Sequence, residues 1–161
     1  MGKADVVLSC GDISDQVILQ AAQSYGCSTI FAVKGNHDTN AKFANPITDL
    51  HLQVKEYGSV TFGGLNGSWR YKPRGNFLYD QAEVDTMLRE FPKVHVFLSH
   101  NSPRGIHDRE DDIHCGFDGL NTYIERANPQ LLLHGHQHVS TESRLHEIRI
   151  IGVYGHRLIE I

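Results

Sequence analysis

The sequence predicts an α/β fold built around one core, and three observations carry that reading. Short apolar runs recur (Val6-Val7-Leu8, Ile30-Phe31-Ala32-Val33, Val96-Phe97-Leu98, Leu131-Leu132-Leu133), as they do in strands buried on both faces. Segments with apolar residues at helical spacing lie between them. Each run stops at a Gly or polar loop bearing Asp, Asn or His, which is the carboxyl edge where open α/β sheets place their ligands.

Length and composition set the frame. The 161 residues suit one domain over residues 1–161, and 40% hydrophobic with 21% charged residues is ordinary globular usage. A net charge of -4 without a basic cluster argues against long nucleic acid as a partner, while a single phosphate ester stays within reach. Eleven His against three Cys favour nitrogen and oxygen metal chemistry over thiolate sites. Cys10, Cys27 and Cys115 lack C-x-x-C spacing, so reduced thiols and a cytoplasmic location are expected. No apolar stretch reads as a signal peptide or membrane span, and no membrane partner is expected.

Taken in order, residues 5–10 read as a strand that delivers Asp12 to its carboxyl end. Ser14 and Asp15 cap a helix through Ser24, with Val17, Ile18, Ala21 and Ala22 on its buried face. Gly26 ends it, and residues 28–33 form the second strand of a βαβ unit, closing on Gly35-Asn36-His37-Asp38. The signal weakens over residues 40–58, where residues 50–54 alternate like a half-exposed strand. Residues 59–67 read as a strand entering a Gly-rich turn without phosphate-loop spacing. Trp69, Arg70 and Tyr71 line a pocket or cover a sheet edge, with the second reading preferred.

Asp80-Gln81-Ala82-Glu83 has the form of a capping box, and Val84, Met87, Leu88 and Phe91 predict a helix running to Pro92. Residues 94–98 form the next strand, with His95 a core or edge histidine and His100 at the carboxyl end. Residues 104–115 are a polar connection long enough to fold over a site. Phe117, Leu120, Tyr123 and Ile124 mark a further helix, and residues 144–151 and 157–161 alternate as closing strands. His146 and His156 are given no role.

The densest stretch is His134-Gly135-His136-Gln137-His138, directly after an apolar run. Alone it fits either a shared metal, which neutral imidazoles commonly bind, or three unrelated surface histidines. The other strand ends supply partners: Gly11-Asp12, Gly35-Asn36-His37-Asp38 and His100.

Together these blocks resemble the calcineurin-like metallophosphoesterases. Gly11-Asp12-Ile13-Ser14-Asp15, Gly35-Asn36-His37-Asp38, the lone His100 and Gly135-His136-Gln137-His138 match four of that family's five blocks, in order. The resemblance implies a four-layer α/β/β/α sandwich and two divalent metal ions, for which mixed nitrogen and oxygen ligands suit manganese, iron or zinc. It implies Asp12 as the bridging carboxylate, Asn36, His100 and His136 completing one metal, His138 on the other, and His37 as the catalytic residue addressing the phosphate of a small phosphoester. Asp38 is expected to hold the His37 ring. His107, Asp108 and His114, in the loop after the lone His, are expected to border the pocket.

The family's remaining block, Asp-x-His, lies on a strand preceding the one that carries Asp12. Only Met1 to Ala4 stand before Asp5, so the sandwich is expected to be truncated at its first strand and helix and the first metal position to be incomplete. Asp49-Leu50-His51 and Asp112-Ile113-His114 repeat the triplet but follow no apolar strand, and neither is expected to replace it. Activity by a metal-activated water is the leading expectation. A catalytically silent protein-binding scaffold and a one-metal hydrolase are the alternatives.

Overall fold

The computed structural model describes residues 2–161. Strand β1 (Val6–Ser9), helix α1 (Asp15–Ser24) and strand β2 (Thr29–Ala32) form the expected βαβ unit, extended by the short β3 (Thr48–Asp49) into a parallel sheet of order β1-β2-β3. A second sheet is built from β4 (Val54–Tyr57), β5 (Val60–Leu65), β8 (Val96–Ser99), β9 (Leu131–His134), β10 (Thr141–Leu145) and β11 (Ile148–Gly152), after a small pair, β6 (Ser68–Trp69) and β7 (Leu78–Tyr79). Its order is β10-β11-β9-β8-β5-β4, with parallel pairing from β11 through β5 and an antiparallel strand at each edge. Helices α2 (Gln81–Arg89) and α3 (Asp118–Ala127) pack together on one face of it.

Side-chain alternation along each strand explains the layering. On β2, Ile30 and Ala32 meet Ile18 and Ala22 of α1, while Phe31 and, just beyond, Val33 turn the other way, toward Phe62, Val96, Leu98, Leu131, Leu133 and Ile151 of the second sheet. On the second sheet, Phe97, Leu132 and Ile150 point outward, to Val84 and Leu88 of α2 and Leu120, Tyr123 and Ile124 of α3. Four layers result, α/β/β/α. Each fully buried Leu or Ile in the central layer contributes roughly 1.5–3 kcal/mol.

Several local expectations change. Val17 is exposed, because only Ile18 and Ala22 of α1 face the sheet squarely. Strand β1 is half-buried rather than covered on both faces, since it lies at an edge of its sheet. Residues 50–54 do not make one strand: Leu52 takes φ 52°, outside the extended region, and the segment connects β3, which ends at Asp49, to β4, which begins at Val54. The second helix stops at Arg89, before Pro92. Residues 157–161 pair with no strand, and Leu158 and Ile161 lie exposed. Cys10, Cys27 and Cys115 are free thiols. No helix among the described residues is long and apolar enough to cross a membrane.

Candidate metal centre

The carboxyl ends of β1, β2, β8 and β9 bring their loops together. Gly11 and Gly35 make the approach possible, because a Cβ on Gly11 would strike the Gly35 backbone nitrogen and one on Gly35 would strike the Asp12 carboxylate. Three potential ligand atoms, from Asp12, His100 and His136, lie within 4.8 Å of one another. His100 and His136 are buried, and Asp12 is half-buried. Asp12 and His136 hold left-handed backbones, with φ 58° and 62°. Such conformations cost on the order of 1–2 kcal/mol each for residues with a Cβ, and they persist where surrounding contacts over-determine them.

Hydrogen bonds fix which atoms face the cluster. His100 Nδ1 lies 2.7 Å from the Cys10 carbonyl oxygen, which can only accept, so Nδ1 donates and a neutral ring carries its lone pair on Nε2. That Nε2 stands 3.1 Å from Asn36 Oδ1 and 3.3 Å from Asp12 Oδ2. Asn36 is oriented by Tyr71: its Nδ2 donates to the tyrosine oxygen at 3.2 Å, which turns Oδ1 toward the imidazole. An imidazole lone pair, an amide oxygen and a carboxylate oxygen therefore converge. With that ring neutral, three acceptors at such distances repel one another unless a proton or a metal cation lies between them, and the donor set fits a divalent metal.

Protonation follows the same logic. Burial opposes ionisation of Asp12, but with no metal bound a proton on His100 Nε2 supplies a hydrogen bond and a charge that, with the His37 N–H at 2.8 Å, outweigh it and hold the carboxyl below its ordinary value. Burial, reinforced by His100, pushes His136 down to about 3, despite the Ile113 carbonyl that its Nε2 meets at 3.2 Å. Both groups are thus in the form that binds a metal at neutral pH.

The remaining expected site residues fall in different places. His37 is exposed at the rim, directly after Asn36, with its backbone committed to Asp12. His138 is exposed and lies outside the Asp12 cluster, its ring 5.7 Å from Tyr154 and 6.2 Å from His114. Asp38 does not hold the His37 ring. Its Oδ2 instead accepts from Gly35 N at 2.7 Å and Asp12 N at 2.8 Å, because three residues beyond Gly35 its side chain turns back on the loop and ties it to the next.

The connection after His100 does fold over the cluster, and His114 packs against His136 with ring centroids 5.1 Å apart. Asp111 accepts from His114 Nδ1 at 2.8 Å and fixes that ring. Asp108 braces the loop through the N–H groups of Gly105 and Gly116. His107 turns away, toward His134. Of the two Asp-x-His triplets, His51 is engaged by Asn66 N at 3.1 Å away from the cluster, whereas His114 stands beside it.

Two contributors escape a reading of the sequence. Tyr71, expected as sheet-edge cover, positions Asn36 across 35 residues. Gln137, between the two histidines, joins three segments: its Nε2 reaches Ser102 Oγ and the His114 carbonyl, both at 3.0 Å. Neither lies in a periodic segment, so no sequence pattern marks them.

Comparison with known proteins gives the arrangement a setting. The family model described as calcineurin-like phosphoesterase matches residues 2–140. No curated protein matches the sequence. Among solved structures, TT1561 of Thermus thermophilus superposes with a TM-score of 0.62 at 15% identity, covering 92% of this chain and 76% of that one. A Vps29 single mutant from Entamoeba histolytica gives a TM-score of 0.48 at 13% identity, covering 94% and 58%.

Proposed function

The chain belongs to the calcineurin-like phosphoesterase family, and from that premise we propose that it hydrolyses a small phosphomono- or diester with the help of divalent cations. The observation that carries the reading is the convergence of His100 Nε2, Asn36 Oδ1 and Asp12 Oδ2, with His136 alongside. These four would hold one cation, and His138, which lies outside their cluster, with Asp12 is the proposed set for a second. Manganese, iron or zinc suits such ligands.

Bound there, the metal supplies an activated water and charge neutralisation for the phosphoester oxygens. The chain's own groups do the rest. Asp12, kept ionised, sets the charge of the site and anchors His37 through its backbone N–H. His37 at the exposed rim approaches the phosphate and, when protonated, gives a proton to the leaving oxygen. The Asp38 knot between the two loops keeps that geometry from drifting.

The test is hydrolysis of p-nitrophenyl phosphate and bis(p-nitrophenyl) phosphate with added Mn²⁺. Asp12→Asn and His136→Ala are expected to lower the rate by at least about 100-fold, a loss of several kcal/mol of transition-state stabilisation. A Mn²⁺-dependent rate unchanged in both variants refutes the assignment. Binding of Mn²⁺ without turnover of either ester would favour a protein-binding scaffold on the same fold.

A further inference from the structure

A second series of side chains starts at His134, two residues before His136, and leads away from the Asp12 cluster through His107 to Ser143. His134 is fully buried at the end of β9, and its Nδ1 lies 3.1 Å from the Gly135 carbonyl oxygen. A carbonyl only accepts, so His134 donates from Nδ1 and its Nε2 must accept. That Nε2 is 2.9 Å from His107 Nδ1, which therefore donates. His107 Nε2 is then left as an acceptor, 2.7 Å from Ser143 Oγ. Every proton in the series is assigned by the carbonyl at its end, and the series finishes with a serine hydroxyl donating to an imidazole lone pair.

The surroundings suit chemistry at that hydroxyl. His107 sits at φ 64°, a left-handed backbone that lays the loop alongside edge strand β10. Between loop and strand opens a cavity of about 250 Å³, lined by His107 and Ser143, the aliphatic side chains of Ile106, Leu145 and Ile150, and Arg144. Burial lowers the His107 pKa, which keeps the ring in its base form at neutral pH.

We propose that Ser143, His107 and His134 form a reactive-serine centre that accepts small esters with an aliphatic acyl group. Ser143 Oγ forms a bond to the acyl carbon as its proton passes to His107 Nε2, and the ester C–O bond then breaks as His107 gives that proton to the leaving oxygen, releasing the alcohol or phenol and restoring the free base. A water that returns its proton through His107 then cleaves the acyl-serine, giving the carboxylic acid and regenerating Ser143. His134 acts as a positioning residue, holding His107 in the tautomer that presents its lone pair to the serine. This activity goes beyond phosphoester hydrolysis and needs no metal.

The experiment treats the full chain, with chelator present, with a fluorophosphonate probe at pH 7.5 and maps the modified peptide by mass spectrometry. The expected reaction joins Ser143 Oγ to phosphorus, expels fluoride and leaves Ser140, an exposed serine whose Oγ bonds the Tyr154 carbonyl, unlabelled. His107→Gln, which retains hydrogen-bonding capacity but no base, is expected to slow Ser143 labelling by about 100-fold. Hydrolysis of p-nitrophenyl butyrate is expected to fall in parallel in His107→Gln and to vanish in Ser143→Ala. No label on Ser143 in the wild-type chain, labelling no faster than at Ser140, or a rate unchanged by His107→Gln overturns the proposal.

Discussion

Burial keeps His134 and His136 neutral, and that gives the metal-free protein a defined acid response. The His134 value falls from 6.5 to about 4, and that of His136 from 6.5 to about 3, with burial the leading cause in both. The unfolded chain takes up these protons near pH 6.5 and the folded chain does so only far lower, so stability is full above 6.5 and is lost progressively as pH falls toward 4. For His134 the loss is on the order of 3 kcal/mol. Urea unfolding of the metal-free chain between pH 7.5 and 4.5 checks it: the midpoint should drop with an unchanged slope, and a flat midpoint contradicts the account. Tyr71 supplies a second test at this scale. Tyr71→Phe removes the acceptor that orients the Asn36 amide, and Mn²⁺ affinity by calorimetry should weaken by about tenfold with the fold intact.

Among the elements, α2 shows how much of the structure is written locally. The Asp80 and Glu83 side chains cap its first turn reciprocally, as Asp-Gln-Ala-Glu suggests, with Glu83 Oε2 also receiving Arg70 Nη2 at 3.0 Å. Asp80→Ala should cost about 1 kcal/mol, read as a lower urea midpoint without loss of metal binding. The strands at the centre of the second sheet were equally legible, because Val96-Phe97-Leu98 and Leu131-Leu132-Leu133 have both faces covered and need no partner to be recognised. Residues 50–54 and 157–161 were misleading for the opposite reason: alternation alone promised strands that a positive φ at Leu52 and the lack of a pairing partner withheld. The site divides likewise. Asp12, Asn36, His100 and His136 follow strands and could be named in advance, while Tyr71 acts from a loop whose position depends on contacts distant in sequence.

Across the whole molecule, the two sheets are held by residues that alternate between layers, and their loops are driven to one edge by that packing. The cluster is therefore a product of the core as much as of its own ligands. Its left-handed residues and its mutually facing acceptors make it locally strained, and the buried apolar layers beneath supply the compensating free energy. No single strand predicts that outcome. It required the βαβ unit and the second sheet to stack with their carboxyl ends aligned, an arrangement that the family resemblance implied and periodicity alone did not specify.

The most direct test is equilibrium dialysis of the purified chain against Mn²⁺, with Asp12→Asn and His136→Ala beside it. At least one ion is expected to be retained per wild-type chain, with an affinity weaker by about tenfold or more in each variant. Equal retention by wild type and both variants would contradict it.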